Sequence, residues 1–203
     1  MPAPARPPPP RGRTERLAYV FFHRPLAGVS RAAYERALRR FHATLARTPP
    51  AGFRESSVLR LDTAPWAEPR PRPVYVDWYV LGGFGILDSI RDVAYCPPWV
   101  GAHRSIARKA AYGWGALYAA PRPAGPPAGE DRLVWSSDEH LLTLVGPGAP
   151  PGRPRVGTLW RRQLALGPSP EFCWVLPSGE RPPHSRGSLR ADSQGIFPRE
   201  TRR

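Results

Sequence analysis

Two apolar runs carry the strongest strand patterns in this chain. Residues 17–23, LAYVFFH, are apolar on both faces of a strand, and residues 74–82, VYVDWYVLG, are rich in β-branched and aromatic side chains. A strand with two apolar faces is covered on both sides, so we expect these runs in the middle of a sheet. Weaker runs at 53–62 and 112–120 complete four predicted strands.

The segments between these predicted strands show the periodicity of amphipathic helices. After Ser30, which suits an N-cap, apolar residues recur every three or four positions through 31–47. Two shorter helical segments, 84–94 and 99–111, flank a Cys-Pro-Pro break. The order β-α-β-β-α-β predicts an α+β fold: a ferredoxin-like βαββαβ sheet with two helical layers on one face.

Proline-rich and glycine-rich stretches divide the chain into segments. We predict disordered Pro/Arg-rich tails at 1–16 and 178–203, a ferredoxin-like domain at 17–120 and a linker at 121–129. The second face of an aromatic-rich sheet needs a cover. We therefore predict that an additional C-terminal β-rich segment, 130–177, packs on the first sheet as a degenerate second unit.

Three quoted stretches carry a resemblance at the level of architecture: LAYVFFHRP before the first helix, YVDWYVL as third strand, and AHRSIARKAAYGWGALY as second helix into fourth strand. Over about residues 17–120 the chain resembles the dimeric α+β barrel superfamily. The resemblance implies that two ferredoxin-like sheets face each other, within one chain or across a homodimer. Members include antibiotic-type monooxygenases and muconolactone isomerase, and they share no universal catalytic residue.

The third strand holds the main candidate site. Its alternation places Tyr75, Asp77 and Tyr79 on one side, and we predict that this side lines a barrel interior that binds a ligand. The opposite, apolar side is expected under the helices. Asp77 is a candidate general base and the two tyrosines are candidate substrate-binding groups. The alternatives are a buried structural carboxylate bonded to an arginine or a tyrosine, and a carboxylate that faces solvent on an open sheet.

Two histidines add to this site. His23 ends the first strand on the face of Tyr19, where a barrel mouth would lie, and is a second candidate catalytic base. Tyr19 and His103, the latter in the second helical layer, are candidate substrate-binding residues. His42 lies at the border of the first helix's apolar stripe, and we expect it at the surface.

The stretch 158–177, TLWRRQLALGPSPEFCWVLP, reads as two strands joined by a corner. Adjacent residues of a strand point to opposite faces, so at most one of Arg161 and Arg162 enters a cavity; both are kept as candidate substrate-binding residues. Cys173 has no activating residue beside it in the sequence, so we expect a buried, unreactive thiol.

Composition narrows the choice of partners and cofactors. The formal net charge is +14, but the charges of the body are interspersed and 29 of the 30 cations are arginine, so nucleic-acid binding is disfavoured. No zinc-binding spacing occurs, and we expect neither a metal nor a cofactor. No apolar run reaches 18 residues, so we predict no membrane partner and a cytoplasmic location.

These observations predict a small-molecule-binding α+β barrel protein with a hydrophobic or aromatic ligand. They leave open whether it is an enzyme. A cofactor-independent enzyme of isomerase, cyclase or monooxygenase type fits a pocket with a carboxylate and phenols. The alternative is a non-catalytic protein that forms a homodimer or docks a partner through the bare sheet face.

Overall fold

The computed structural model describes residues 16–64, 66, 73–120, 125–137, 157–180, 189–191 and 193–195. Its helices are α1 (Arg31–Arg47), α2 (Leu87–Asp92) and α3 (Val100–Ala107), with a short 3₁₀ turn at Phe84–Ile86. Its strands are β1 (Arg16–Pro25), β2 (Phe53–Leu61), β3 (Val74–Leu81), β4 (Ala110–Ala120), β5 (Arg132–Ser136), β6 (Thr158–Ala165), β7 (Phe172–Leu176), β8 (Leu189–Ala191) and β9 (Ser193–Gly195). None of the described helices is long and apolar enough to cross a membrane.

The first half of the chain has the predicted ferredoxin-like arrangement. Within the sheet its strands lie in the order β4-β1-β3-β2, and every pairing between them is antiparallel. The two apolar runs are the two central strands, β1 and β3, as their patterns predicted. Helices α1, α2 and α3 follow β1 and β3 in the chain, so the order β-α-β-β-α-β is confirmed.

The second half of the chain continues the same sheet. Strand β6 pairs with β4, and β7 and β5 follow, so the full order is β8-β5-β7-β6-β4-β1-β3-β2-β9. The end strands β8 and β9 pair with β5 and β2, and only one residue separates them in the chain. The sheet therefore curls until its two ends lie next to each other.

This closure corrects one prediction about the C-terminal segment. Residues 178–203 were predicted to be a disordered tail, yet they contribute β8 and β9. Strands of three residues are too short to show a hydrophobic period, and the surrounding arginines and prolines favour disorder on composition alone. The predicted tail at 1–16, apart from Arg16, lies outside the described residues, and so does the part of the predicted β-rich segment at 138–156.

Aromatic side chains fill the inside of the curled sheet. Trp78, Trp135 and Trp160 are fully buried, and Trp78 contacts the other two, with ring centroids 5.3 Å apart for Trp78 and Trp160 and 6.2 Å for Trp78 and Trp135. Two of these three residues lie on strands of the second half of the chain, Trp135 on β5 and Trp160 on β6. Strands β5, β6 and β7 thus cover the face that a four-stranded sheet would leave exposed.

A second core lies between the sheet and the helices. Helix α1 begins at the N-cap Ser30, whose side chain accepts a hydrogen bond from the Ala33 amide, 3.3 Å away. Its buried stripe packs on β1, β2 and β3 and contains polar as well as apolar residues: Tyr34, Glu35, Ala37, Leu38, Phe41, His42, Thr44 and Leu45. Those polar members determine where the candidate site lies.

Candidate functional site

The polar side of β3 faces the helices, which reverses the predicted orientation of this strand. Tyr75 and Tyr79 belong to the core under the helices, and Asp77 lies between them on the same side. The apolar side, with Val74, Val76, Trp78 and Val80, packs inside the curled sheet. The physical reason is the choice of partners: the inner core of the sheet consists mainly of apolar and aromatic side chains, whereas α1 offers polar partners to Asp77 and the tyrosines.

Asp77 is the centre of a buried polar cluster. Oxygen Oδ1 lies 3.2 Å from Nε2 of His23 and 3.2 Å from Nε2 of His42, and Oδ2 accepts a 2.7 Å hydrogen bond from the Tyr79 hydroxyl. The two histidine contacts are within ion-pair distance but are not aligned as hydrogen bonds. Asp77 is 5% exposed, His23 2% and His42 0%, so water has almost no access to these groups.

The opposite nitrogen of each histidine also has a partner. His23 Nδ1 lies 2.6 Å from the Tyr34 hydroxyl, and His42 Nδ1 lies 2.8 Å from Oγ of Ser56. Strand β1 therefore supplies His23, β2 supplies Ser56, and α1 supplies Tyr34 and His42. Partners on both nitrogens fix the position of each imidazole ring.

The two histidines keep Asp77 ionised. Burial alone would raise the pKa of this carboxyl, but the charges of His23 and His42, and their contacts with the carboxylate, lower the pKa below its ordinary value. Conversely, burial and the nearby Asp77 raise the pKa of Tyr79 and of Tyr34. At neutral pH the cluster therefore holds one carboxylate anion surrounded by neutral phenols.

Tyr75, the third candidate on this strand, belongs to a neighbouring set of contacts. Its hydroxyl donates to Oε1 of Glu35 at 3.3 Å, and Glu35 also contacts Arg31 at 2.7 Å and Arg39 at 3.7 Å. Burial and the Glu35 charge raise the pKa of Tyr75 to about 12. The tyrosine ring packs edge-on against Tyr34, with ring centroids 4.9 Å apart, and so connects the two sets.

Tyr19 forms the half-buried side of the cluster. Its ring stacks on Tyr79 at 6.0 Å and lies over Gly115 of β4, where a Cβ atom would come within 2.6 Å of the tyrosine ring. The adjacent Phe21 stacks on His23 at 5.6 Å and is also half-buried. Burial and the Asp77 charge raise the pKa of Tyr19. A glycine at position 115 is thus required for this ring position.

His103 lies on α3, at the outer side of the same core. It is partly exposed, and its ring packs edge-on against Phe41 at 5.7 Å. Burial lowers the pKa of His103, and the charge of Asp77 acts in the opposite direction. The predicted residues Asp77, His23, Tyr79, Tyr19 and His103 therefore belong to one region of the molecule.

The two arginines of β6 lie away from this region. Arg162 is on the side of Trp160 and donates to the backbone carbonyl of Ser169, whereas Arg161 is on the outer side and contacts Glu171 at 3.4 Å. Their proposed substrate-binding role at the Asp77 site is therefore not supported. Both stabilise the strand pair, because each bonds to the segment that returns as β7.

Cys173, which the sequence predicted to be unreactive, lies inside the curled sheet. Its side chain is fully buried, and burial raises the pKa of the thiol well above its ordinary value. A protonated thiol is a weak nucleophile. The cysteine is thus a packing residue.

Four residues of the cluster were not predicted as site residues: Tyr34, Glu35, His42 and Ser56. His42 was expected at the surface, and that prediction is wrong, because the residue is completely buried. A signal was available in the spacing, since Tyr34, Leu38 and His42 follow one another at intervals of four on one helix face. Among the described residues, no group of three or more His, Cys, Asp or Glu side chains could hold a metal ion.

Comparison with known proteins supports the fold and gives no family. No family model matches this chain, and no curated protein does either. An anthrone oxidase-like protein of known structure aligns with a TM-score of 0.50 and 8% identity, over 89% of this chain and 91% of its own. The protein therefore has a ferredoxin-like α+β barrel fold, as the sequence resemblance implied.

Two further solved structures align with lower scores. A dimeric protein of unknown function with a ferredoxin-like fold, from Bacteroides fragilis, has a TM-score of 0.38 and 11% identity, over 51% of this chain and 94% of its own. A chlorite dismutase-like protein has a TM-score of 0.42 and 14% identity, over 81% of this chain and 80% of its own.

Proposed function

We propose that this protein binds a small hydrophobic or aromatic organic molecule on the helix side of its sheet and acts on it as a cofactor-independent enzyme. The observation that carries the proposal is the buried, ionised Asp77 with two histidines on one of its oxygens. Isolated charges are rarely buried without a purpose, and strongly shifted carboxyl groups cluster at functional sites.

The ligand environment follows from the accessible side chains around the cluster. Tyr19 and Phe21 present half-buried aromatic rings, and His103 presents a partly exposed imidazole. Such surfaces stack on planar rings and offer few polar contacts. A flat aromatic compound with one acidic O–H or C–H group suits them best.

The chemistry that such a cluster supports is proton transfer. Asp77, in contact with His23, supplies the negative charge that promotes proton removal, and Tyr79 donates a hydrogen bond to the carboxylate. Isomerisation or cyclisation needs a base that removes a proton and an acid that returns it, and neither reaction consumes a cofactor. Oxygenation of the resulting ligand anion would need dioxygen as a co-substrate, and the anthrone oxidase-like neighbour makes anthrone a suitable first probe.

The non-catalytic alternative needs an exposed sheet face for a partner. In the part of the chain that the structure describes, strands β5, β6 and β7 pack their side chains on the inner face of the sheet, which favours a small-molecule ligand over a partner docked there. A homodimer stays a prediction, and it would use another surface. Its test is the molar mass of the full chain in solution.

The experiment for the proposed function is binding and turnover of anthrone by the full chain. We expect anthrone to quench the fluorescence of the wild-type protein and, in the presence of dioxygen, to be converted faster than in buffer. Asp77→Asn and His23→Gln should lower the rate by roughly 100-fold or more, because proton transfer loses the buried charge, or the partner that keeps it ionised. Arg40→Ala, at an exposed position of α1, is the control. Unchanged binding and rate in both site variants would contradict the proposal.

A further inference from the structure

We propose that His103 is the residue that exchanges a proton with the ligand, while Asp77, His23 and His42 form a sealed inner cluster that acts on it through charge. The inference rests on the proposed function and assigns separate roles to the histidines of one site. The geometry points to it because these histidines differ in access and in the partners of their nitrogens.

The two inner histidines have no nitrogen available for a ligand. His23 contacts Tyr34 through Nδ1 at 2.6 Å and Asp77 through Nε2 at 3.2 Å. His42 contacts Ser56 through Nδ1 at 2.8 Å and Asp77 through Nε2 at 3.2 Å. Since both side chains are also almost fully buried, a ligand could reach either ring only by breaking the cluster.

His103 has the opposite properties. It is partly exposed on α3, and within the described part of the chain its imidazole makes a ring contact with Phe41 and no hydrogen bond. Helix α3 packs on α1, so the ring lies at the outer side of the core that contains Asp77. A general base must be within reach of the proton that it removes, and the partly exposed ring of His103 is accessible to a ligand from the solvent side.

The charges around His103 suit a base at neutral pH. Burial lowers the pKa of its imidazole, so the neutral form that can accept a proton predominates. The charge that acts on the His103 ring from the sheet is that of Asp77. The side chain of α1 that contacts this ring is Phe41, which is uncharged. Once the ring takes a proton, the Asp77 anion stabilises the imidazolium. The inner histidines keep that anion ionised.

The step is balanced without a cofactor. The acidic O–H or C–H bond of the ligand breaks, its electron pair stays on the ligand as an anion, and the proton forms an N–H bond on His103. In an isomerisation the same proton returns to another atom of the ligand. The enzyme then regains its starting protonation state.

A ligand-free experiment tests the separation of roles first. We expect diethyl pyrocarbonate to modify His103 much faster than His23 or His42 in the full chain, with the sites identified by peptide mapping. In imidazole NMR titrations, Asp77→Asn should lower the pKa of His103, because a stabilising negative charge is removed. Equal modification of His23, or an unchanged His103 titration in that variant, would overturn the inference.

Turnover then distinguishes failure of the inference from failure of the proposed function. With anthrone as probe, His103→Gln should retain binding but lose turnover by roughly 100-fold. Arg104→Gln, at the exposed neighbouring position on α3, should leave both unchanged. If wild-type protein does not bind anthrone, the proposed function fails, and this inference fails with it. If His103→Gln binds and turns over anthrone like the wild type, the inference alone is wrong.

Discussion

Asp77 of β3 and His42 of α1 lie 3.2 Å apart across the interface between sheet and helix, in a region from which water is almost excluded. This contact joins the helix layer to the sheet through charge rather than through apolar packing alone. The same carboxylate oxygen also meets His23, so a single aspartate holds elements from three parts of the chain together. Stability and proposed chemistry therefore depend on the same residues.

Acid should weaken the fold through Asp77. The pKa of this carboxyl is lower in the folded protein than its ordinary value of about 3.9, so its contribution to stability is complete above about pH 4. That contribution is lost as pH falls through the folded-state pKa. We expect the free energy of unfolding to fall below about pH 4 in wild type and to fall less steeply in Asp77→Asn. Urea unfolding at a series of pH values measures both slopes, and parallel slopes would contradict the assignment.

Removing His42 should loosen α1. The variant His42→Ala takes away the contact with Asp77 and the bond to Ser56, and it leaves a buried carboxylate with one histidine. Breaking a buried pair in this way costs about 3–5 kcal/mol. Arg40→Ala, an exposed change on the same helix, should stay within about 0.5 kcal/mol of wild type. Equal effects of the two variants in denaturant unfolding would show that the His42 contact does not stabilise the protein.

Gly115 should be required for the position of Tyr19. A Cβ atom at position 115 would come within 2.6 Å of the tyrosine ring, so Gly115→Ala must displace that ring from Tyr79. Overpacking of this kind costs about 1–3 kcal/mol. The matched control is Gly101→Ala in α3, where a Cβ meets nothing within 4 Å and helix propensity favours alanine. Thermal unfolding of both variants checks the prediction, and a neutral Gly115→Ala would contradict it.

The Gly-Pro-Ser-Pro corner at 167–170 should depend on Tyr118. The tyrosine hydroxyl donates to the Pro170 carbonyl at 2.6 Å, and the indole of Trp114 donates to the Pro168 carbonyl at 2.7 Å. Tyr118→Phe removes one of these bonds, and we expect a loss of about 1 kcal/mol in the free energy of unfolding. Tyr95→Phe, at a position that is 71% exposed, is the control. A loss no larger than that of the control would show that this bond does not stabilise the corner.

Sequence periodicity was sufficient to predict the elements of the first half of the chain and their order. The apolar runs of β1 and β3 and the stripe of α1 follow from periods of 2 and 3.6, and the order β-α-β-β-α-β restricts the topology. The short strands β8 and β9 have no such pattern, since each spans three residues. Closure of the sheet therefore could not be predicted from these positions.

The orientation of β3 shows why the site was only partly predictable. A period of two separates Asp77 from Trp78 but does not decide which of them faces the helices. That choice depends on partners that lie 35 to 54 residues away in the chain, His42 on α1 and His23 on β1, and such contacts exist only after folding. Asp77, Tyr79 and His23 could still be chosen from the sequence, because polar residues inside apolar strands need partners.

Mapping where a planar aromatic ligand binds tests the central claim most directly. Anthrone titrated onto the full isotope-labelled chain should shift the NMR signals of Tyr19, Phe21 and His103, on the helix side of the sheet, and leave the indole N–H signals of Trp78 and Trp160 unchanged. Shifts confined to those indoles, or no shift at Tyr19 and His103, would contradict a site on the helix side of the sheet.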